Sequence, residues 1–531
     1  MQKSGMFQNI TGGILVLALL LTTMTGCGSL QDFQVDTMSG REGADEFTSL
    51  GLSPEFDYEV PESLPSILVD QVGYDVDSKK VAMINCETPP ETFSLLDADT
   101  GREVYTGQIE SKGYDPSVNA YISYADFTEF HTAGTYYIQA ASIGRSYVFE
   151  IAKEPYKALL NKVFKQYYFN RCGLTISSEL AGDAAHNACH SREAQMKEEA
   201  MIKLDVSGGW HVDEIGSRDV ARGCQAVNTL LLAYELYLDD MGDDMGIPES
   251  GNEIPDVLDE VKYEIDWLLK MQDMKSGAVY ASVSSVDNKN AGYLLYIDGI
   301  TMEATIHFAA TMAKFSYLYQ NYDREFATLC LQASDRAYRY AENYLADVSE
   351  KQYFFAAAEL YRATGGYQYH SVVKSYLTQN PDVDLEDDYA FWGCVTYLST
   401  KQKVDMNLCE AVTQNLMRKG ETISYASKDS KLLVNTDEKQ GGNAGLLRDM
   451  ARLAVVDHII TNHEYATVLE NHAHYMLGRN LQSISYLDGV GGRNYRDVDA
   501  SLGIMNQVDQ NAELLLLFAS IMDEELVVAE E

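Results

Sequence analysis

The sequence predicts a multidomain protein in which a small all-β sandwich precedes a large all-α domain. The chain has 531 residues, which exceeds the usual size of a single hydrophobic core and suits two or three domains. Short β-branched and aromatic runs fill residues 64–152, with turn residues between them. From residue 156 onward the apolar period changes from two to three or four, which indicates helices.

The N-terminus has the features of an export signal. Lys3 precedes a short apolar run at residues 14–21, and small residues lead to Cys27. Residues 1–26 resemble a bacterial lipoprotein signal peptide, which implies a lipid on Cys27. We therefore expect a lipid-anchored protein on the exported side of the bacterial cell membrane, because the apolar run is too short to span it. Ordinary secretion with cleavage nearby is the alternative.

Two segments separate this signal from the helices. Residues 27–63 are polar and acidic, with Gly, Ser and Pro, and predict a weakly structured linker. Residues 64–152 predict the β-sandwich domain, because several short strands with regular turns are typical of such a fold. Its predicted strands include "SILVDQVGY", "KVAMINC", "TFSLLDA", "YISYADF", "GTYYIQA" and "SYVFEIA".

Residues 156–526 predict one continuous all-α domain. Segments such as "MEATIHFAATMAKFSYLYQNY" and "NQVDQNAELLLLFASIMDEE" have helical periods and are apolar on most of their circumference. Helices of this kind are buried on two sides, so we expect them to be the inner helices of a layered assembly. This part of the sequence shows no strand period.

Charge and cysteine usage narrow the possible partners. The net charge of −40 disfavours nucleic acid and anionic membrane surfaces as binding partners. Of the 8 cysteines, Cys27 belongs to the signal, and the others include no Cys-x-x-Cys pair. We expect most of these other thiols to be small buried apolar residues, so the sequence predicts no metal site among them.

Several motifs carry a family resemblance over roughly residues 64–525. In order along the chain they are "ILVDQVGY", "CHSREA", "DVSGGW", "IPESGNEIPDVLDEVKYEIDWLLKMQD", "FFAAAELYRATGG" and "YMLGRN". The sequence is similar to glycoside hydrolase family 9 with its N-terminal immunoglobulin-like domain. The resemblance implies an immunoglobulin-like sandwich, an (α/α)6 barrel with an open cleft at its helix-end loops, and inverting cleavage of β-1,4-linked glucan.

The base of that reaction is displaced in this sequence. Inverting hydrolysis needs two carboxyl groups about 6.5–9.5 Å apart, one protonated and one ionised. The family carries its base in Gly-Gly-Trp-Tyr-Asp-Ala-Gly-Asp, and here Val212 and Ile215 stand at the two Asp positions. Asp213 and Glu214 lie between them and are the candidate bases, with ordinary loop acids as the alternative reading.

The general acid is displaced as well. The family has Asn-Glu-Val shortly before an Asn-Ala pair, and here Gln507 or Met505 takes the place of the acid, depending on the alignment. An amide cannot serve as a proton donor of useful acidity. Asp509 is a weak substitute, and we expect Glu513 to lie on the polar face of a helix.

Other residues are candidates for holding sugar. Trp210 and His190 are placed as cleft residues by the resemblance, although a structural histidine is the slightly favoured interpretation of His190. The segment 483–503 lacks the histidine pair of the family, so Arg493 and Arg496 are candidate donors to sugar hydroxyls. Solvated loop arginines are the alternative.

These observations leave three functions open, and no cofactor is required by any of them. The first is a β-glucanase with a relocated acid and base, and the second is a catalytically silent glucan-binding lipoprotein. The third is an envelope assembly protein that uses the barrel as an interaction surface. Calcium could be ligated by the acidic loops 238–246 and 380–388, for which a solvated surface is the simpler reading.

Overall fold

The computed structural model describes residues 65–288, 292–435, 442–460, 462–504 and 507–522. The predicted signal, Cys27 and the linker therefore lie outside the described residues. Strands occupy the first part of the described chain, at β1 Ile67–Leu68, β2 Gly73–Asp75, β3 Val81–Asn85, β4 Thr92–Asp97, β5 Glu103–Asp115, β6 Ala120–Asp126, β7 Gly134–Ala140, β8 Gly144–Arg145 and β9 Phe149–Ala152.

These strands form two sheets that share the long strand β5. Its first half pairs with β4 and its second half with β6, with a register shift between Ser111 and Gly113. The strand order is β1-β3-β6-β5-β4-β7-β9-β2. Apolar side chains from both sheets, such as Ile84 and Ile138, enclose one core, which gives the N-terminal sheet domain that the alternating sequence pattern predicts.

Helices dominate the rest of the chain. They are α1 Lys157–Phe169, α2 Ser178–Ala181, α3 Val220–Leu236, α4 Asp256–Lys270, α5 Met302–Tyr319, α6 Arg324–Glu342, α7 Glu350–Thr364, α8 Tyr367–Gln379, α9 Asp388–Ser399, α10 Met406–Asp429, α11 Gly442–Ile460, α12 His463–Met476 and α13 Val508–Ser520. Within the described residues, no helix is both long and apolar enough to cross a membrane.

Alternate helices form the inside of the helical domain. Helix α3 packs against α5, α5 against α7, and α7 against α9. Helix α11 packs against α13, which in turn packs against α3. Each of these inner helices buries most of its circumference, as their apolar sequences predict. In the sequence, one further helix separates each inner helix from the next.

A second sheet corrects the expectation of a purely helical domain. Five strands pair in the order β11-β10-β14-β13-β12, at β10 Ala194–Met196, β11 Lys203–Leu204, β12 Arg218–Asp219, β13 Ser282–Asn288 and β14 Gly292–Ile297. Most of these strands are too short to show a period, and β10 pairs with β14 about a hundred residues away. This sheet borders the loop that contains Asp213, since Ser217 Oγ accepts a hydrogen bond from Ser285 N at 3.1 Å.

The two domains are joined by buried polar contacts. Tyr156 Oη donates to Asp70 Oδ2 at 3.0 Å, and His474 Nδ1 lies 2.9 Å from the same oxygen. Gln71 Nε2 also donates to the carbonyl of Ser483 at 3.0 Å. The sheet domain is therefore tied both to α12 and to the loop that follows it.

Candidate functional site

Trp210 is a core residue rather than a cleft wall, which corrects the expectation from sequence. Its side chain is 1% exposed and lies against the ring of Tyr167 at a centroid distance of 4.7 Å. The indole Nε1 donates to Glu260 Oε1 at 2.8 Å, and the backbone N–H donates to Glu264 Oε2 at 2.7 Å. An indole held in this way is not available to stack on a sugar.

Two glycines let the chain turn tightly on either side of Trp210. Gly209 has φ +77°, and a Cβ there would lie 2.6 Å from the ring of Trp267. Gly216 has φ +81°, and a Cβ there would lie 2.1 Å from the ring of His190. The glycines are therefore required by close packing and by left-handed backbone.

The candidate bases face solvent. Asp213 is exposed, and its Oδ1 accepts hydrogen bonds from the backbone N–H groups of Ile215 at 3.1 Å and Ser217 at 2.8 Å. Glu214 is also exposed, and Ile215 is 42% exposed. Asp213 therefore closes its own turn, which is the role of a loop acid.

Arg222 joins the two segments in which the sequence analysis looks for the acid and the base. Arg222, in the first turn of α3, donates from Nη2 to Gln507 Oε1 at 2.6 Å and to Asp509 Oδ1 at 2.7 Å. Its Nη1 also lies 3.4 Å from the carbonyl oxygen of Val212. One guanidinium therefore contacts both Val212 and Gln507. The Asp509 carboxylate is half-buried and forms an ion pair with the same guanidinium.

A buried carboxyl lies beneath the Trp210 loop. Glu264 on α4 is 1% exposed, and burial raises its pKa to about 8, although the hydrogen bond from Trp210 N and the charge of Arg218 lower it. Burial also raises the pKa of Glu260, against the opposing effect of Arg171. Both carboxyls are buried and bonded to neighbouring protein groups, so neither faces an open cleft.

Glu513 differs from the expectation that it lies on a polar helix face. It is only 6% exposed, because α13 is enclosed by α3, α11 and α1. Burial raises its pKa well above the usual range for Glu, and the nearby charge of Asp388 acts in the same direction, while Arg452 and Arg448 oppose it. Both the burial and the charge of Asp388 therefore favour the protonated form of this carboxyl.

Four side chains behind the Trp210 loop form a cluster that the sequence analysis missed. One ligand atom from each of Cys172, Cys189, His190 and His211 lies within 4.8 Å of all the others. The two sulfurs are 4.0 Å apart, and His211 Nε2 is 3.4 Å from Cys189 Sγ. Tetrahedral zinc with two sulfur and two nitrogen ligands places its ligands roughly 3.3–3.8 Å apart, close to these separations.

The surroundings of the cluster fit a metal ion. His190 Nδ1 is buried without a hydrogen-bond partner, whereas its Nε2 lies 3.3 Å from Ser285 Oγ, which fixes the ring. Arg218 Nη1 contacts Cys172 Sγ at 3.1 Å. The contact with the Cys172 thiol lowers the pKa of Cys189, and the two imidazoles act in the same direction. An available nitrogen and a stabilised thiolate are what a Cys2His2 zinc site requires.

This cluster corrects two expectations. Cys172 and Cys189 are not merely small apolar residues, and His190 belongs with the cysteines rather than with a sugar. No Cys-x-x-Cys spacing marks the site, because its ligands come from three loops. The adjacent Cys189-His190 pair was the one local signal that could have indicated it.

The two loop arginines are held within their own loop. Arg493 Nη1 donates to the carbonyl of Gln482 at 3.1 Å, and its backbone N–H donates to Gln71 of the sheet domain at 2.9 Å. Arg496 is exposed and pairs with Asp488 at 2.7 Å. The contacts of the described residues do not join either arginine to Arg222 or Asp509.

The acidic loops that could ligate calcium, and for which a solvated surface was the simpler reading, make other contacts. Asp243 accepts hydrogen bonds from the backbone N–H groups of residues 251, 252 and 253, which fixes a turn. In the 380–388 loop, five acids pair with four cations. These pairs are Asp382–Arg418, Asp384–Lys351, Asp387–Lys351, Glu386–Lys419 and Asp388–Arg452.

Two tyrosine rings of the helical domain lie against histidine rings. Tyr293 is 45% exposed and lies 4.7 Å from the ring of His190. Tyr389, at the start of α9, is half-buried and lies 5.0 Å from the ring of His307 on α5. The apolar ring of a tyrosine can pack against apolar groups while its hydroxyl stays in contact with water.

Comparisons with known proteins agree with this architecture. The chain is 27% identical over 482 residues to a cellodextrinase of Butyrivibrio fibrisolvens, which covers 82% of this chain and 86% of that protein. It is 28% identical over 464 residues to endoglucanase D of Acetivibrio thermocellus, which covers 80% of this chain and 73% of that protein.

Solved structures share the fold. A metagenome-derived family 9 endoglucanase superposes with a TM-score of 0.76 at 24% identity, covering 86% of this chain and 98% of that one. A family 9 protein of Bacteroides ovatus gives 0.76 at 20% identity, covering 86% and 99%.

Family models assign both domains. The model of the cellulase N-terminal Ig-like domain matches residues 62–145, and that of glycosyl hydrolase family 9 matches residues 156–509. The chain therefore belongs to glycosyl hydrolase family 9 and carries an N-terminal Ig-like domain.

Proposed function

We propose that this chain binds β-1,4-linked glucan and holds it without cleaving it through the usual acid–base pair of the family. The observation that carries the proposal is the bridge from Arg222 to Gln507 and Asp509. An inverting hydrolase needs one carboxyl that keeps its proton and another that activates water across the sugar. In this sequence Gln507 is an amide, and Val212 and Ile215 are apolar. The Asp509 carboxylate is paired with Arg222.

The substrate class follows from the relatives. Their names are cellodextrinase, endoglucanase D and, for a protein of Bacteroides ovatus 26% identical over 344 residues, xyloglucan-specific endo-β-1,4-glucanase. All of these names describe proteins that act on β-1,4-linked glucose polymers. Exposed Tyr293 on β14 and half-buried Tyr389 at the start of α9 supply amphipathic aromatic rings, which supports retention of a sugar-binding surface.

The fold that we propose for the helical domain is an (α/α)6 barrel. Contacts between alternate inner helices and the TM-scores against family members support closure of the helices into a ring. In a ring of this kind the N-termini of the inner helices open onto one cleft. Arg222, Asp388, Tyr389 and Asp509 all lie within the first turn of an inner helix, so they would share that cleft.

We also propose that the protein is tethered to the exported side of the bacterial cell membrane through lipid on Cys27. The support is the sequence pattern of residues 1–27. A single lipid gives only marginal binding by itself, so bacterial triacylation of the cysteine would be needed for a stable anchor. The acidic linker would then extend the two domains away from the lipid surface.

A second candidate function is hydrolysis with a new proton donor, and Glu513 is the observation that favours it. Burial and the nearby charge of Asp388 raise the pKa of its carboxyl, which favours the protonated state that a general acid requires. In that case any release of reducing ends from glucan would disappear in Glu513→Gln.

Binding can be tested by electrophoresis of residues 28–531 through gels that contain soluble polysaccharide. We expect retardation by mixed-linkage β-glucan and hydroxyethyl cellulose, and free migration in gels that contain the α-linked glucan pullulan. Equal migration in all gels would contradict the proposal and leave the envelope assembly role as the better account.

A further inference from the structure

A cavity of about 490 Å³ lies between α6 and α8, over the last two turns of the inner helix α7. Its apolar part is formed by Leu331 of α6, Leu360 of α7 and the ring of Tyr369 of α8. Polar groups of α6, which include Arg336, complete the lining. The volume lies within the range of small-molecule sites in proteins.

This cavity is separate from the Arg222 site. Thr364, which lines the cavity, is the last residue of α7, whereas Arg222 and Asp509 lie within the first turn of their helices. At 1.5 Å per residue, Thr364 lies about 20 Å along α7 from its first residue. A ligand bound here would therefore not occupy the cleft that we propose for glucan.

One wall of the cavity carries a guanidinium that no carboxylate neutralises. Arg336 Nη2 donates to Gln272 Oε1 at 2.9 Å, and Arg336 Nε donates to the same oxygen at 3.3 Å. Within the described residues, Arg336 forms no ion pair and its Nη1 takes part in no hydrogen bond, although the chain has 80 Asp and Glu against 40 Lys and Arg. The charge and the donors of Nη1 are therefore available to an anionic ligand.

Gln272 fixes the position of this guanidinium with a neutral group. Its side chain is 4% exposed, and Nε2 donates to the carbonyls of Gly277 at 2.9 Å and Ala333 at 3.0 Å. Because both amide protons are engaged, the Oε1 atom is turned towards Arg336. The guanidinium is therefore oriented before a ligand arrives, which lowers the entropic cost of binding.

The acid in the cavity wall is already neutralised. Asp335 Oδ2 accepts a hydrogen bond from Arg339 Nε at 2.7 Å, and Asp335 Oδ1 accepts one from Tyr369 Oη at 3.0 Å. Burial raises the pKa of Tyr369 to about 12, and the charge of Asp335 acts in the same direction, so the hydroxyl keeps its proton at neutral pH. The charges of Asp335 and Arg339 compensate each other, which leaves Arg336 as the excess positive charge.

The remaining lining suits a ring with one apolar face and hydroxyl groups at its edge. Leu360 is fully buried and Tyr369 is 6% exposed, so they form an apolar floor. Gln332 is exposed at the rim, and its amide both donates and accepts hydrogen bonds. A pyranose has C–H groups on its faces and hydroxyl groups around its edge, which matches this floor and rim.

We propose that this cavity binds a uronic acid unit, a pyranose that carries a carboxylate, with the carboxylate paired to Arg336 and the ring on Leu360 and Tyr369. Charge-assisted contacts between a guanidinium and a carboxylate are among the stronger hydrogen bonds of proteins. The site goes beyond the proposed function, because its ligand is an anion and it lies away from the Arg222 site.

The test follows binding of glucuronate to residues 28–531 by saturation-transfer difference NMR, beside glucose, which lacks the carboxylate, and acetate, which lacks the ring. Arg336→Gln removes the charge. Gln332→Glu places a carboxylate one helical turn before Arg336, where it would neutralise the guanidinium, and position 332 is exposed, so the packing of the helices is kept. Arg324→Gln is the matched control, because Arg324 is exposed at the start of the same helix. Thermal unfolding verifies that each variant is folded.

We expect the Kd for glucuronate to rise about tenfold in Arg336→Gln and Gln332→Glu, because a charge-assisted contact is lost, and to stay unchanged in Arg324→Gln. Glucose and acetate should bind the wild type more weakly than glucuronate. Failure of the wild type to bind glucuronate, or an unchanged Kd in both folded cavity variants, would overturn the site.

The two companion ligands test the chemical class. Glucose that binds as tightly as glucuronate would overturn recognition of the carboxylate, and acetate that binds as tightly would overturn recognition of the ring. If Arg336→Gln does not fold, Gln332→Glu decides the outcome. None of these results bears on glucan binding, which the gel experiment measures.

Discussion

Arg222 Nη2 donates to Gln507 Oε1 at 2.6 Å, across 285 residues of sequence. This contact brings the first turn of α3 against the start of α13. The same guanidinium also forms an ion pair with Asp509, so Arg222 holds two residues of that segment. The predictions below follow from this arrangement and from the buried groups around it.

Restoring the acid alone will not restore cleavage. We expect Gln507→Glu to release no reducing ends from mixed-linkage glucan, because Arg222 would hold the new carboxyl ionised and the two base positions remain apolar. The same change should raise the free energy of unfolding by up to about 1 kcal/mol, since it adds a charge-assisted contact. Turnover in this variant, absent from the wild type, would show that the guanidinium does not block the site.

The ion pair between Arg222 and Asp509 should be measurable as a coupling energy. The two side chains are 32% and 22% exposed, so a double-mutant cycle with alanine should give about 1 kcal/mol after allowance for solvent screening. The more exposed pair Lys262–Asp266 on α4 is the control, with an expected coupling of about 0.3–0.5 kcal/mol. A coupling near zero for the first pair would mean that the bridge is not formed in solution.

Asp213 should matter for stability and not for activity or binding. Asp213→Ala removes two hydrogen bonds from backbone N–H groups, so urea unfolding should show a loss of about 1–2 kcal/mol. Retardation of the variant in β-glucan gels should equal that of the wild type. Glu214→Ala is the control and should leave stability within about 0.5 kcal/mol, because Glu214 is exposed. Turnover that vanishes in Asp213→Ala would identify it as a shifted base.

The Cys2His2 cluster should bind zinc. We expect metal analysis to find one zinc per chain, and a strong chelator to lower the melting temperature, because the four ligands join separate loops. Cys189→Ser should lose the metal, whereas Cys330→Ala on α6, remote from the cluster, should keep it. Wild-type protein that stays metal-free when purified with added zinc would contradict this assignment.

Glu264 should make stability depend on pH. Its folded pKa of about 8 lies above that of an unfolded Glu, so its contribution is fully present below about pH 4.5 and is lost as the pH rises to about 8. Glu264→Gln cannot ionise and keeps an acceptor for Trp210 N. The stability of this variant relative to wild type should therefore increase from pH 5 to 8 and then level off. A constant difference across that range would mean that Glu264 is ionised throughout.

Lipid attachment should depend on Cys27. We expect the full chain, expressed in a bacterium, to fractionate with membranes, and Cys27→Ser to appear in the soluble exported fraction. Cys86→Ser is the control and should remain with membranes, because Cys86 lies in the sheet domain. Membrane association that persists in Cys27→Ser would point to another anchor.

The order of strands and helices was predictable because it depends on local periodicity. Segments such as Met302–Tyr319 and Val508–Ser520 repeat apolar residues over several turns, and the helices form where that pattern predicts them. The small sheet next to the site was missed, because β10 and β14 are short and pair across a long loop. Sequence patterns report on such non-local pairing only weakly.

The roles of individual site residues were harder to predict. Trp210 and Glu513 are buried by elements far away in the sequence, so a loop motif and a helix face could not reveal their burial. The candidate metal ligands lie on separate loops, and Arg222 meets Gln507 and Asp509 across more than 280 residues of sequence. The predicted displacement of the acid and base needed only residue types, at Val212, Ile215 and either Gln507 or Met505, and it stays a prediction.

The most direct test of the central claim is reducing-end release from mixed-linkage β-glucan by residues 28–531, measured beside retention in a gel that contains the same polymer. The account predicts clear retention with release no faster than in a protein-free control. Release well above that control, lost on substitution of Asp213, Asp509 or Glu513, would contradict it and establish a working hydrolase with relocated carboxylates.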